Sequence, residues 1–188
     1  MNFSAVLLAG GKSRRMGRDK ATMLFRGAPL WRIQLDLLRK LQPAKVLVSA
    51  QTDPPWRPAG VDFVPDNEPS RGPLSGIAAA LSRIASTHLL TLAIDMPFMS
   101  ESYLRRLCEL AEAGSGAVPI IRDHAEPLTA IYPQAARDEM VRALSGDNFS
   151  LQSVVRELIA ADKLQAVAVS KTQQALFRNL NEPDDLKC

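Results

Sequence analysis

Residues 3–20, FSAVLLAGGKSRRMGRDK, decide the fold prediction for this chain. The first part, Phe3–Ala9, is a continuous apolar run, typical of a parallel β-strand that is covered on both faces. Gly10 and Gly11 end the run, and because glycine accepts positive φ, successive backbone N–H groups beyond the strand can point at one anion. Five basic residues follow within nine positions: Lys12, Arg14, Arg15, Arg18 and Lys20. The stretch therefore predicts a strand that leads into a phosphate-binding loop.

Strand-like and helix-like periods alternate along the rest of the chain. Apolar runs predict strands at Lys45–Ser49, Val61–Val64, His88–Ala93, Ala117–Ile121, Leu128–Tyr132 and Leu164–Val169. Amphipathic periods predict helices at Leu30–Leu41, Leu74–Ile84, Tyr103–Ala113, Ala135–Leu144 and Leu151–Ala160. This alternation predicts an α/β fold, a single-domain Rossmann-like three-layer sandwich with a mainly parallel sheet and helices on both faces. Ligands bind such sheets at the carboxyl ends of the strands, here after Ala9, Ser49, Val64 and Ala93.

Length and composition narrow the class of protein. The 188 residues suit one domain, and a net charge of +3 is too mild to indicate a nucleic-acid partner. Cys108 and Cys188 are the only cysteines, which argues against a disulfide framework and fits a reducing compartment. The first residues lack the layout of a signal peptide, and no apolar run approaches 18 residues. We therefore expect a cytoplasmic protein without a membrane span.

Two familiar phosphate loops do not fit the glycine segment. A Walker A loop requires glycine five positions before the Gly-Lys pair, where this chain has Val6. A dinucleotide fingerprint requires Gly-x-Gly-x-x-Gly, whereas the glycines here are Gly10, Gly11 and Gly17. A glycine turn with a solvated basic flank is the alternative to a phosphate site.

A carboxylate follows the most apolar strand. Asp95 stands directly after His88–Ala93 and Ile94 and precedes Met96-Pro97. Mg²⁺ prefers one or two carboxylates together with substrate phosphates, so an aspartate at this edge of the sheet is well placed to bind it. The alternative is a turn or cap residue before the next helix.

The motif LAGGxSxRMGxxK resembles the signature of the nucleotidyltransferase superfamily, and it is most similar to that of the molybdenum cofactor guanylyltransferase family. The resemblance implies a nucleotide-diphospho-sugar transferase-like fold, with residues 1–188 forming one nucleotidyltransferase domain, 1–100 its nucleotide-binding half and 101–188 its acceptor-binding half. It also implies residue roles. Leu8, Ala9, Gly10, Gly11 and Lys12 would bind the nucleotide, Arg15 and Lys20 its phosphates, and Asp95 the nucleotide and Mg²⁺; the catalytic set would be Arg15, Lys20 and Asp95. Many relatives have proline before the closing lysine, where this chain has Asp19.

Further positions match the same family. The string Gly72-Pro73-Leu74-Ser75-Gly76 resembles a segment along its nucleotide site, and Asp66 matches a carboxylate that contacts GTP there. From local sequence alone, the string is equally a tight helix start and Asp66 a turn former. Ser49 stands where the family has an asparagine, so it keeps a hydroxyl but lacks the amide.

The tail Asn179-Leu180-Asn181-Glu182-Pro183 looks like the family's segment beside the metal and the second substrate, which makes Asn179 and Asn181 candidates for acceptor binding. Asn181 is also a good helix N-cap, a reading that does not explain Asn179.

The expected activity is transfer of GMP from GTP to the molybdenum cofactor, molybdopterin, with Mg²⁺ as cofactor and pyrophosphate as product. Transient contact with enzymes that deliver or accept the cofactor is expected, and no nucleic-acid or membrane partner. The alternatives are a cytidylyltransferase for the same cofactor, a sugar-phosphate nucleotidylyltransferase, and a non-catalytic nucleotide-binding module, because fold alone does not fix function.

Overall fold

An eight-stranded, mostly parallel β-sheet forms the middle layer of the protein. The computed structural model describes residues 2–10, 19–66, 70–147 and 149–180. The strands within these ranges are β1 (Phe3–Leu8), β2 (Leu24–Phe25), β3 (Ala28–Pro29), β4 (Val46–Ala50), β5 (Asp62–Pro65), β6 (His88–Ala93), β7 (Gly116–Ile121), β8 (His124–Ala125), β9 (Ile131–Pro133) and β10 (Leu164–Ala168). The helices are α1 (Leu30–Lys40), α2 (Pro73–Leu81), α3 (Glu101–Leu110), α4 (Arg137–Ser145) and α5 (Leu151–Ala160).

The order of the strands places β1 at a switch point. The sheet runs β10-β7-β9-β6-β1-β4-β5, with β8 paired to β7. Strand β1 is parallel to both β4 and β6, while β9 runs antiparallel to β6 and β7. The chain therefore leaves β1 toward β4 on one side and returns with β6 on the other. Loops diverge at such a point and open a crevice at the carboxyl ends of the strands.

Apolar side chains on both faces of the sheet build two hydrophobic cores. Ala5 and Leu7 of β1 pack with α1 and α3, whereas Val6 and Leu8 pack with α2, α4 and α5. Alternation along the strand accounts for this division, because successive side chains point to opposite faces. The continuous apolar run of β1 thus serves two cores, and the predicted three-layer α/β sandwich is confirmed.

Two predicted elements differ from the structure for local reasons. The strand predicted at Leu128–Tyr132 starts only at Ile131, because the Thr129 N–H donates to the Glu126 carbonyl and closes a turn ahead of it. The helix predicted at Tyr103–Ala113 is α3, Glu101–Leu110: the Ser100 hydroxyl accepts a hydrogen bond from the Tyr103 N–H at 3.2 Å and caps its start. At its end Ala111 is extended and Glu112 pairs with Ser115.

Other differences are small or concern short elements. The helix predicted at Ala135–Leu144 is α4, preceded by a short 3₁₀-helix, Gln134–Ala136. The hairpin of β2 and β3 was not predicted from the sequence. Its turn residues, Arg26 and Gly27, have φ of 51° and 82°, and Gly27 is the one local signal for such a turn.

Candidate functional site

A cleft of about 440 Å³ opens at the carboxyl ends of β1, β4, β5 and β6. This is the edge predicted from the alternation of strands and helices. The sequence-predicted residues that line it are Leu8, Ala9, Gly10, Lys20, Ser49, Asp66, Gly72, Pro73, Gly76 and Asp95. Segments far apart in the chain are thus brought to one concave surface.

The remaining predicted residues lie elsewhere. Leu74 is fully buried in the core beneath α2, so its side chain packs rather than lines the cleft. Gly11, Lys12, Arg15 and Asn181 lie outside the described residues. Asn179 is exposed and precedes Leu180, whose N–H donates to the Asp95 carbonyl at 2.9 Å. The tail therefore runs directly past the end of β6.

Lys20 and Asp95 form an ion pair at one end of the cleft. Lys20 Nζ lies 3.2 Å from Asp95 Oδ2, and the side chains are 19% and 21% exposed. Asp95 follows β6, and Lys20 begins the 3₁₀-helix Lys20–Thr22 that follows the glycine segment. A cation and a carboxylate that share one partly exposed position are what a metal-bound polyphosphate requires.

Asp19 fixes the turn that carries Lys20. Its Oδ1 accepts a hydrogen bond from the Ala21 N–H at 3.0 Å, and its Oδ2 accepts one from the Trp56 indole N–H at 2.9 Å. Trp56 stacks on Trp31 with ring centroids 5.8 Å apart. A proline at position 19 would offer neither acceptor, so the departure from many relatives has a local structural role. The contact with Trp56 joins residues 37 positions apart and has no signal in the sequence.

Asp66 is the centre of a compact polar cluster at another part of the cleft wall. The Ser49 hydroxyl donates to Asp66 Oδ1 at 2.7 Å, and the Ser70 hydroxyl lies 3.5 Å from Asp66 Oδ2. A Cβ at Gly10 would lie 2.9 Å from Asp66 Oδ2, and one at Gly76 would lie 2.5 Å from Ser49 Oγ. The two glycines therefore allow β1 and α2 to approach this pair closely, and a Cβ at either position would force Asp66 or Ser49 to move.

The backbone at the end of β1 is partly committed to the sheet. The Ala9 N–H donates to the Ser49 carbonyl at 2.9 Å, and the Leu8 carbonyl accepts from the Ile94 N–H at 3.1 Å. Among the described residues no backbone partner is found for the Gly10 N–H or the Ala9 carbonyl. These two groups are the ones that a nucleotide can contact.

Several residues of the cleft were missed from the sequence. They are Asp19, Gln51, Ser70, Ala93, Ile94 and Leu128. Gln51 comes two positions after Ser49, and period-two alternation along an extended chain is the signal that places both on one side. Its side-chain amide forms no hydrogen bond with any residue that the structure describes, so it offers both donors and an acceptor to a ligand.

A family model for the MobA-like NTP transferase domain matches residues 5–168. The chain belongs to this family. It is 34% identical over 186 residues to a probable molybdenum cofactor guanylyltransferase of Opitutus terrae, covering 97% of this chain and 92% of that one. It is 32% identical over 196 residues to the molybdenum cofactor guanylyltransferase of Rhizobium meliloti, covering 97% and 88%.

Solved structures show the same fold. The crystal structure of molybdopterin-guanine dinucleotide biosynthesis protein A from Archaeoglobus fulgidus superimposes with a TM-score of 0.75 at 24% identity, over 98% of this chain and 95% of that one. The 2-C-methyl-D-erythritol 4-phosphate cytidylyltransferase of Thermus thermophilus gives 0.68 at 19% identity, over 97% and 94%. The family resemblance and the predicted nucleotide-diphospho-sugar transferase-like fold are confirmed, and this MobA-like protein is a nucleotidyltransferase.

Proposed function

We propose that this MobA-like enzyme transfers GMP from GTP to the molybdenum cofactor and releases pyrophosphate. The observation that carries the proposal is the Lys20–Asp95 pair, 3.2 Å apart, in a cleft that also holds the Asp66 cluster. A cation beside a carboxylate suits the triphosphate and its metal. The cluster of Ser49 and Asp66, with Gln51 nearby, supplies the hydrogen-bonding groups that a nucleoside requires.

The nucleotide would lie along the switch point. Its sugar and base would contact the Gly10 N–H, the Ala9 carbonyl and the Asp66 carboxylate, and its phosphates would reach Lys20. Ser49 supports this arrangement indirectly, because its hydroxyl donates its hydrogen bond to Asp66 and its side chain is almost completely buried. The amide that relatives place at Ser49 has a counterpart in Gln51.

The reaction is an in-line displacement at the α-phosphorus. A terminal phosphate oxygen of the acceptor attacks the α-phosphorus, the bond to the bridging oxygen breaks, and pyrophosphate leaves opposite. Lys20 balances charge on the phosphates and orients them, which is the kind of catalysis that positioning and electrostatics supply. No protein nucleophile is needed in this scheme.

Asp95 is the residue that would hold Mg²⁺. Among the described residues no group of three or more His, Cys, Asp or Glu side chains forms a ready-made metal site. A single accessible carboxylate still fits Mg²⁺, since this ion is commonly bound by one or two carboxylates together with substrate phosphates. When bound, the ion supplies neutralisation of the charge that develops on the α-phosphate and pyrophosphate.

The test is pyrophosphate release from GTP and Mg²⁺ with and without molybdopterin. Release that requires the acceptor is expected, together with a thermal shift by GTP; a ligand at 100 times its Kd stabilises by about 2.7 kcal/mol. Parallel titrations with CTP, ATP and UTP test the base. A preference for CTP would contradict guanylyl transfer, and nucleotide binding without pyrophosphate release would favour a non-catalytic module.

Location and partners complete the proposal. None of the helices in the described ranges is long and apolar enough to cross a membrane. A cytoplasmic location and transient contacts with enzymes that deliver or accept the cofactor remain predictions from the sequence.

A further inference from the structure

A second concavity, of about 390 Å³, lies between the β7–β8 hairpin and residues 174–178. Its polar lining side chains are Arg122, His124, Glu126, Gln174 and Arg178. We call it the Glu126 groove. It lies on the half of the chain that was predicted to bind the acceptor.

Two short segments connect the Glu126 groove to the nucleotide cleft. Glu126 lines the groove, and Leu128 lines the cleft. Arg178 lines the groove, and two residues later the Leu180 N–H donates to the Asp95 carbonyl. Two extended residues span about 7 Å. A ligand with one end beside Asp95 therefore has to extend only about that far to reach the groove.

The carboxyl group of Glu126 is half-buried and has no donor. It forms no hydrogen bond or ion pair with any described residue, and burial raises its pKa, with the nearby His124 opposing the shift. Its oxygens still reach solvent, so a ligand that fills the groove must replace that water with hydrogen-bond donors of its own. A ligand that brings N–H donors into the groove would satisfy this carboxylate.

Tyr103 adds a second unpartnered polar group behind the groove. Its ring packs edge-on against Phe177, a groove residue, with centroids 5.3 Å apart. Its hydroxyl is buried and has no hydrogen-bond partner within the described part of the chain. Burial raises the pKa of Tyr103 to about 12, with the Arg106 charge opposing the shift and the Glu126 charge adding to it. The hydroxyl therefore stays protonated at neutral pH.

Two arginines, Arg122 and Arg178, line the groove. The Arg178 guanidinium lies 5.1 Å from the centroid of the Phe98 ring, and neither Arg178 nor Arg122 pairs with a carboxylate among the described residues. An arginine held against an aromatic ring keeps its N–H edge available and presents a second flat face.

We propose that the Glu126 groove binds the pterin ring of the acceptor, with the Glu126 carboxylate accepting hydrogen bonds from the ring's 2-amino group and adjacent N3–H. These two donors point the same way and match two carboxylate oxygens, as in a bidentate arginine pair. Arg122 and Arg178 flank the ring and its anionic substituents. The inference rests on the proposed function, because the pterin ring is the end of the acceptor that lies opposite its reacting phosphate.

The test compares 6-hydroxymethylpterin with 6-hydroxymethyllumazine, which carries an oxygen in place of the 2-amino group. Both are fluorescent, so binding to the full chain is followed by anisotropy in the presence of GTP and Mg²⁺. The pterin is expected to bind at least about tenfold more tightly, since a hydrogen bond to a charged group is worth that factor or more. Glu126→Gln is expected to lose most of this discrimination. Arg178→Gln is expected to weaken the binding of both ligands. The control Arg142→Gln, an exposed change on α4, is expected to weaken the binding of neither.

Equal affinity of the wild-type protein for the two ligands, or no binding of either at millimolar concentration, overturns the inference without any variant. So does a Glu126→Gln protein that still takes up GTP but keeps full discrimination. If pyrophosphate release from GTP requires molybdopterin while the pterin preference is absent, only the groove assignment fails. If the preference is present but no release occurs, only the proposed transfer fails.

Discussion

The Ser49 hydroxyl donates a 2.7 Å hydrogen bond to Asp66 Oδ1 and joins the ends of the neighbouring strands β4 and β5. The donor is 1% exposed, so we expect it to affect a bound nucleotide through Asp66 and not by direct contact. A cleft carboxylate held in this way has one oxygen fixed within the protein and its direction set before a ligand arrives.

Ser49→Ala is expected to leave Asp66 without this donor. We expect the KM for GTP to rise at least about tenfold, with a smaller change in kcat, because a hydrogen bond to a charged group contributes about 1.5 kcal/mol or more. Steady-state kinetics measures both constants. Ser145→Ala, an exposed change on α4, is the matched control. An unchanged KM would show that Asp66 does not depend on Ser49.

Gly76→Ala should disturb the same cluster sterically. The new Cβ would lie 2.5 Å from Ser49 Oγ and 3.2 Å from Asp66 Oδ1, in the buried part of α2. Overpacking of this kind costs about 1–3 kcal/mol, which urea denaturation will measure as a lower free energy of unfolding. Gly146→Ala, where the nearest atom would be 3.7 Å away, is expected to be tolerated. Equal stability of the two variants would refute the close-packing argument.

Asp95→Asn keeps the shape of the side chain and removes its charge. Turnover is expected to fall by at least about 100-fold, because the metal would lose its protein carboxylate. The melting temperature should change little, since an ion pair that is partly exposed contributes at most about 1 kcal/mol. The measurements are pyrophosphate release over a series of Mg²⁺ concentrations and a thermal melt, with Asp36→Asn on α1 as control. Full activity at saturating Mg²⁺ would remove Asp95 from the metal site.

Trp56→Phe tests whether the turn at Asp19 positions Lys20. The change removes the indole N–H and keeps an aromatic ring to stack on Trp31. We expect a two- to fivefold higher KM for GTP, corresponding to about 0.5–1 kcal/mol for one hydrogen bond. In an Asp19→Ala background the same change should have little further effect, because the partner is already gone. Additive effects in this double-mutant cycle would contradict the coupling.

Gln51→Ala tests the amide that lines the cleft. If Gln51 contacts the base, the affinity for GTP should fall about three- to tenfold, and the ratio of GTP to CTP affinity should change with it. Thermal-shift titrations with both nucleotides give this ratio, and Gln165→Ala on the exposed strand β10 is the control. An equal loss for both nucleotides would place Gln51 at the sugar or phosphates instead.

The layers of the fold and the position of the cleft follow from local sequence. The apolar run of β1 predicts a strand shared by two cores, and Gly10 and Asp95 mark the ends of two strands that prove to be adjacent. Gly76 was singled out as part of a motif, but its physical reason is the Ser49–Asp66 pair, which no sequence pattern reveals.

Long-range contacts between side chains are what the sequence does not disclose. The pairing of Asp19 with Trp56 and the joint lining of one groove by Arg178 and Glu126 depend on how loops from different strands meet. Short hairpins such as β2–β3 are also missed, because two residues per strand are too few to show a period.

The reversed direction of β9 has a consequence for how this protein family can vary. Because β9 runs against its neighbours, the segment that enters it, residues 126–130, arrives at the same edge of the sheet where the parallel strands finish. Residues 126–130 thus border both concave surfaces: Leu128 lines the nucleotide cleft, and Glu126 lines the Glu126 groove. If the Glu126 groove binds the acceptor as proposed, insertions or substitutions within residues 126–130 would alter the choice of second substrate and leave the central strands unchanged.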